Sequence, residues 1–319
     1  MPIDILFLGG TSIDFIQERG YKGGITPLFK AFIGGSITNS AIISGKLGLK
    51  IALVSRIGND LLGDYAISFL NSCKVHTKGI AQDPNIRTPI AIANIDAKGN
   101  SKYAFYKNSP KDSIVPIENV PKYILNSCKI FHFGSSFSYQ KDSFKETLKY
   151  VKFLKKRGAF ISYDPNIRPY AIKDKTKVRN RVFKLLKLAN IAKLSEIDLW
   201  YLTGQKSPKK GLKTLKKELS CYVVLTLGAK GAMYLDSNGK FIEIPAFKVK
   251  IADTIGAGDA FIAGMLYQIA RIGKRAVLKD IKPALRFTSA VSALICTGQG
   301  ANQALKNLKQ VEKFLQDNR

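Results

Sequence analysis

The stretch IADTIGAGDAFIAGML (251–266) sets small residues, one carboxylate and an apolar helical run in succession. Gly256, Ala257 and Gly258 let backbone N–H groups converge without side-chain obstruction, and a helix N-terminus that follows such a turn is an anion site. Asp259 stands at that N-terminus, where the helix dipole favours its ionised form. Two chemistries fit. Asp259 is a helix-starting charge, or it is a general base beside an anion cradle, taking a hydroxyl proton while the cradle holds a transferring phosphoryl group. Competing nucleotide motifs fail: G-x-G-x-x-G needs glycine where Phe261 stands, and G-x-x-x-x-G-K-[ST] occurs nowhere in the chain.

Whatever Asp259 does, other elements must carry a partner to it. Apolar, β-branched runs alternate with amphipathic stretches over most of the 319 residues. DILFLGG, IALVSRIG, CKIFHFG, AFISYDPN, IAKLS and CYVVLTLG read as buried strands, with helical patterns such as KDSFKETLKYVKFLKKRG and KVRNRVFKLLKLA between them. That rhythm predicts an α/β fold with a mostly parallel central sheet and helices on both faces. Two segments break it, at about 11–33 and 86–110, and read as hairpins that would form a small second β layer, a lid. GAMYLDSNGKFIEIPAF reads as a third hairpin. KVKIADTIGAGDAFIAGML itself reads strand, glycine turn, helix. Length alone would suggest about two domains, but no linker or repeat interrupts the pattern, so residues 1–319 are expected to form a single domain.

Composition narrows the chemistry. No run approaches the ~20 apolar residues of a membrane span, and MPIDILFLGG lacks a basic leader and reads as a first strand. The four cysteines are far apart and unpaired in sequence, which suggests a reducing, cytoplasmic compartment without a metal knuckle. The two histidines, His76 and His132, leave little scope for a His-dependent triad or a multi-His metal site. His132 lies in an apolar run and is expected in the core. The net charge is +28, from 51 Lys+Arg against 23 Asp+Glu, a field that favours anionic partners. The densest basic stretches, 173–187 and 206–217, have Leu or Val at helical spacing and read as solvated helix faces, so nucleic acid is not the expected partner. A non-catalytic protein binding nucleic acid through this surface is the competing reading from another class.

DTIGAGDAFIAGML resembles the C-terminal signature of the ribokinase-like (PfkB) carbohydrate kinase family. The resemblance implies that Asp259 is the catalytic base and that Gly256, Ala257 and Gly258 form the anion hole. Further matches follow in the same order along the chain. FIGGSITNSAIISGKLGL is similar to the family's glycine-pair region, with Gly34, Gly35 and Asn39 facing the sugar. Asp14 falls where the family places an aspartate on sugar hydroxyls. SYDPNIRP resembles the D-x-N-x-R segment of the fructokinase and ketodeoxygluconate kinase branches, with Arg168 reaching substrate or phosphate.

AKLSEIDLWYLTG resembles the segment that helps hold magnesium and phosphate. Where many members have Asn-x-x-Glu it has Ser195 and Asp198, with Glu196 between, so Glu196 and Asp198 both stand as Mg2+ candidates. VVLTLGAKGAMYL is similar to the nucleotide-binding strand and turn, implying Thr226, Gly228 and Gly231 at ATP. ICTGQGANQAL matches the loop bordering adenine, implying Gly300, Ala301 and Asn302. Asp253 and Ile255 lie where relatives bind a monovalent cation such as K+. The resemblance thus implies a ribokinase-like fold with a β-sheet lid and an ATP- and Mg2+-dependent kinase acting on a primary hydroxyl of a small sugar. DPNIRP and Ser195 lean toward fructokinase or 2-keto-3-deoxygluconate kinase, with fructokinase the first expectation. Ribokinase, 2-keto-3-deoxygluconate kinase and nucleoside kinase stay open. Family members often dimerise through the lid strands, where TPIAIANI would offer an apolar face.

Overall fold

Four consecutive apolar residues, Ile5–Leu8, form a strand buried along its whole length, as a parallel strand covered on both faces must be. Its side chains alternate between two core layers. Leu6 and Leu8 join Ala52, Val54, Phe131 and Phe133 on one face, and Ile5 and Phe7 join Ile51, Leu53 and Ile130 on the other. Burying each such large side chain is worth roughly 1.5–3 kcal/mol. This computed structural model describes residues 2–17, 28–95, 101–106, 109–236 and 238–318.

The strands in chain order are Ile5–Leu8 (β1), Ser12–Gln17 (β2), Phe29–Gly34 (β3), Ile51–Gly58 (β4), Val75–Asp83 (β5), Ile90–Ile95 (β6) and Ser101–Tyr106 (β7). There follow Ile130–Gly134 (β8), Phe160–Asp164 (β9), Ile191–Ser195 (β10), Tyr222–Thr226 (β11), Ala232–Leu235 (β12) and Phe241–Ile244 (β13). Nine of them make the central sheet in the order β13-β12-β11-β10-β9-β8-β1-β4-β5. It is parallel from β5 to β11, and only the β12–β13 hairpin runs antiparallel at one edge. The expected parallel α/β architecture is therefore present. His132 is fully buried in β8, where its Nδ1 lies 2.9 Å from Ser162 Oγ. Burial, aided by the Lys193 charge, holds it well below the usual histidine range, at about 3, so it is neutral.

The two segments expected as a lid form a second sheet, β3-β2-β6-β7. Each contributes an antiparallel hairpin, β2–β3 and β6–β7, and the two hairpins meet along a parallel seam, β2–β6, with Ile13 opposite Ile90. Residues 18–27 and 96–100 of those segments, and 107–108, lie outside the described residues, as does Ser237 in the DSNG turn. Among the described residues no helix is long and apolar enough to cross a membrane.

One sequence expectation fails. No strand leads into the glycine turn: residues 245–256 are irregular. Pro245 follows β13 directly and brings no N–H to a ladder. Beyond it the chain hangs instead on one carbonyl, Cys296 O, which accepts from Ala252 N (2.8 Å) and Asp253 N (3.3 Å).

Candidate active site

The carboxyl ends of β1, β8, β9, β10 and β11 lie side by side, because Leu8 pairs with Phe133, Gly134 with Asp164 and Ser195 with Thr226. In open α/β sheets this is the edge where ligands bind. The helix Ala257–Ile272 begins beside it, with Gly256 as N-cap at φ 81°. Only glycine takes that left-handed conformation without strain, and a Cβ on Gly256 would also collide with Ala301 O at 2.4 Å. The turn is thus pinned in a form that spares N–H groups. Ala257 N donates back to Thr254 O at 3.3 Å, whereas the N–H groups of Gly256 and Gly258 find no protein acceptor among the described residues. These are the orphan donors of a helix start.

Asp259, in the first turn of that helix, does not cap it. Its Oδ1 accepts from Ser36 Oγ at 2.6 Å and its Oδ2 from Asn39 Nδ2 at 3.0 Å, while its carbonyl accepts from Ser40 Oγ at 3.1 Å. All three partners sit on the helix Ser36–Lys46, one face of which packs against the helix Ala257–Ile272. The carboxylate is 7% exposed. Asp259 is thus buried and oriented by a neighbouring helix, and its side chain is not the cap of its own helix.

Behind Asp259 stands a polar relay. Asn166 Nδ2 donates to Ser36 Oγ (2.9 Å), and Arg168 Nη1 at the exposed rim donates to Asn166 Oδ1 (2.5 Å). Asn166 N in turn donates to Asp164 Oδ1 (3.1 Å), and Asp164 Oδ2 accepts from Lys193 Nζ (2.8 Å). That ion pair is almost wholly buried, with side-chain exposures of 5% for Lys193 and 1% for Asp164. The Lys193 ammonium also lies against the glycine turn, 3.1 Å from where a Gly258 Cβ would stand. Burial works to lower the Lys193 pKa, but Asp164, Asp198 and Asp259 outweigh it and leave it raised. Burial pushes the Asp164 carboxyl up, against the pull of Lys193.

The remaining candidates fall into three groups. On the lid, Asp14 of β2 faces Phe32 of β3 across the ladder and accepts from Ser12 Oγ at 2.9 Å; Gly34 has no room for a Cβ because the Asp14 carboxylate fills it. Gly35 is the N-cap of the Ser36–Lys46 helix. Around β11, Thr226 ends the strand with its Oγ1 on Leu194 O (3.2 Å), and Gly228 and Gly231 bracket the short turn that follows. Beside the glycine turn, Asp253 is 3% exposed and accepts from Ile255 N (3.0 Å) and Gly300 N (3.1 Å). No ion pair is found for Asp253 among the described residues.

Two candidates behave differently from expectation. Asp198 is 1% exposed and both its oxygens are in use. Oδ2 accepts from Ser195 N (2.7 Å) and Ser195 Oγ (2.6 Å), and Oδ1 from Ile167 N (2.6 Å). Ser195 and Asp198 form a reciprocal capping box on the helix Glu196–Thr203, and Glu196 is the exposed carboxylate of the pair of candidates. Asn302 turns inward instead of bordering an open cleft. Its Nδ2 donates to Asn39 Oδ1 (3.1 Å) and Ile33 O (3.4 Å), and its Oδ1 accepts from Gln303.

The chain matches the pfkB family carbohydrate kinase pattern over residues 3–308. It belongs to that family. Among similar pfkB proteins is a probable fructokinase-3 of Arabidopsis thaliana, 30% identical over 98% of this chain and 91% of that relative. The crystal structure of a Xylella fastidiosa fructokinase with bound ATP superposes with a TM-score of 0.88 at 26% identity, covering 100% of this chain and 99% of that one. A Vibrio cholerae fructokinase double mutant, solved with fructose, ADP and a potassium ion, superposes with a TM-score of 0.85 at 27% identity over 98% of each chain. The protein is therefore a sugar kinase of ribokinase-like fold. Ser36, Asn166 and Lys193 adjoin the candidate site and were not singled out by sequence reading, although a lysine inside the apolar strand IAKLS was a visible signal.

Proposed function

We propose that this pfkB kinase transfers the γ-phosphoryl group of ATP to a primary hydroxyl of fructose. The observation that carries the kinase chemistry is the placement of Asp259: a buried carboxylate oriented by Ser36 and Asn39 next to two unpaired N–H groups. Fructose is favoured by the fructokinases among its relatives; the D-x-N-x-R segment, in which Arg168 bonds Asn166, suits fructose and 2-keto-3-deoxygluconate alike.

In this reading Asp14, Gly34, Gly35 and Asn39 hold the sugar under the lid. Thr226, Gly228, Gly231, Gly300 and Ala301 flank the nucleotide. Asn302 acts from behind, by fixing Asn39. As the sugar oxygen attacks the γ-phosphorus, its proton passes to Asp259 and the bond to ADP breaks. The amides of Gly256 and Gly258 receive the charge on the equatorial oxygens, with the Lys193 ammonium at their back. Losing one such donor is worth about 3 kcal/mol in comparable holes.

Among the described residues no three His, Cys, Asp or Glu gather as a metal cage. Mg2+ takes one or two carboxylates and the substrate's own phosphates, and the exposed Glu196 at the end of β10 is the carboxylate we assign to it. Mg2+ supplies charge neutralisation at the β- and γ-phosphates when bound. Asp253, buried and held by the N–H groups of Ile255 and Gly300 with no cationic partner among the described residues, fits a monovalent cation such as K+ that would stiffen the turn. Half-exposed Phe29, Phe105 and Tyr106 on the lid strands support a homodimer paired through the lid.

The test is ADP release over fructose, ribose, 2-keto-3-deoxygluconate and nucleosides, each with and without K+. Fructose should give the highest kcat/KM; a higher value for another acceptor would replace the substrate. Asp259→Asn should fold, bind ATP and lose at least ~100-fold in turnover. Near-normal turnover in that variant would remove the base assignment.

A further inference from the structure

One contact joins the lid to the loop at residues 300–302. The ring of Phe32, on β3, lies so close to Gly300 that a Cβ there would meet three ring carbons at 2.9, 3.0 and 3.2 Å. Phe32 is also the cross-strand partner of Asp14. The next residue on the strand, Ile33, accepts from Asn302 Nδ2. β3 therefore touches the loop twice, at both of its ends.

The loop is tied in turn to the catalytic turn. Gly300 N donates to Asp253 Oδ2, whose other oxygen holds Ile255 N. Ala301 packs on Gly256 so tightly that no side chain fits between them. Asn302 holds Asn39, which holds Asp259. The 300–302 loop is thus a wedge between a lid strand and the anion turn, and the Phe32 ring is its lid-side face.

We propose that Phe32 is a positioning residue that relays the position of the lid to the 300–302 loop, so that sugar bound at Asp14 raises the affinity of the nucleotide side. This rests on the kinase reading above, in which Asp14 meets sugar and the loop meets nucleotide. The physical basis is packing. A rigid ring against a glycine that has no side chain to yield cannot shift without moving the loop, and the loop cannot move without disturbing the Asp253 and Gly256 contacts. A ligand that holds β2 and β3 in one place thereby removes conformational freedom from the loop before nucleotide arrives, which is a route to positive coupling.

The experiment is a thermodynamic cycle. ADP binding is titrated by calorimetry with and without saturating fructose, for wild type, Phe32→Ala and Phe32→Tyr. Wild type should show fructose tightening ADP by at least ~5-fold, the lower end of ordinary allosteric coupling. Phe32→Ala should lose that factor, to within about 2-fold of unity, with sugar-free ADP affinity little changed; Phe32→Tyr should retain it. A merely structural role would alter stability or both affinities and leave their ratio alone. The same factor in Phe32→Ala as in wild type, or no factor in wild type, overturns the proposal while fructose turnover leaves the function standing.

If wild type neither binds nor phosphorylates fructose, the substrate reading falls instead. The relay is then judged without sugar, by amide exchange at Gly300, the residue that packs on the ring and whose N–H is bonded to Asp253. Phe32→Ala should exchange at least ~10-fold faster there than wild type, as a local opening released from its lid contact. An unchanged rate overturns the relay.

Discussion

Asp259 can be a base because other side chains take the bonds it would otherwise spend on its own helix. Ser36 and Asn39 hold its two oxygens, Asn166 holds Ser36, and Arg168 holds Asn166. Lys193 raises a separate question, since it is charged, buried and paired with Asp164 alone at hydrogen-bond distance. Removing one member of a buried pair strands the other, at a cost of about 3–5 kcal/mol. Lys193→Met should therefore lower stability by about that much, and Lys193→Met with Asp164→Asn should recover more than half of the loss, read from urea midpoints. A single variant within about 1 kcal/mol of wild type would show that water reaches the pair. The glycine turn and Asp259 were readable because their chemistry is contiguous in sequence. Ser36, Asn166 and Lys193 were not, because what brings them beside Asp259 and the glycine turn is a meeting of three elements that no spacing encodes.

Elements are held at their ends by carboxylates in this protein, and this decides which acids are left for chemistry. Asp198 closes the capping box of the helix Glu196–Thr203 and also anchors Ile167, fixing the DPNIRP segment to the end of β10. A sequence pattern with two acids two residues apart does not say which one caps, so the metal candidate was legible only as a pair. Asp60 does similar work for the helix Leu61–Ser72, accepting from Gly63 N, Thr88 N and Thr88 Oγ1 at 2.7–2.9 Å.

Partial burial raises the Asp60 pKa, but these bonds outweigh it and leave it lowered. Its stabilisation is then present above the unfolded carboxylate pKa, about 3.9, and is lost as pH falls through the lower folded value. Asp60→Ala should cost about 0.5–2 kcal/mol at neutral pH. Its deficit against wild type should shrink in acid, measured by denaturant titration at several pH values. A deficit that is constant with pH would show that the cap's charge contributes nothing. At this scale the strands and helices were largely readable from period and length. The exception, the missing strand before the glycine turn, is a tertiary effect: Pro245 ends the ladder and Cys296 O supplies the alternative.

The whole molecule carries +28, and its basic stretches prove to be ordinary amphipathic helices. Lys175–Leu186 buries Val182, Phe183, Leu185 and Leu186, and Pro208–Glu218 buries Gly211, Leu212 and Leu215, leaving the lysines to solvent. Such a field acts on a charged ligand and not on a neutral one. Raising ionic strength from about 0.01 M to about 1 M shortens the Debye length from about 30 Å to about 3 Å. With tetramethylammonium chloride as the salt and K+ held fixed, kcat/KM for ATP should fall steadily while KM for fructose stays level. A fall shared equally by both substrates would point to general destabilisation.

The parallel seam between β2 and β6 has a consequence for engineering. A hairpin is a portable part, but this lid is two hairpins from opposite sides of β4 and β5, stitched where Ile13 meets Ile90. Acceptor preference cannot be transplanted from a relative by grafting either excursion alone, since the graft would meet a foreign edge at the seam. Both segments must travel together, along with the turn-facing residues of β3, and directed evolution of this kinase is best served by libraries that vary residues 12–17 and 90–95 jointly.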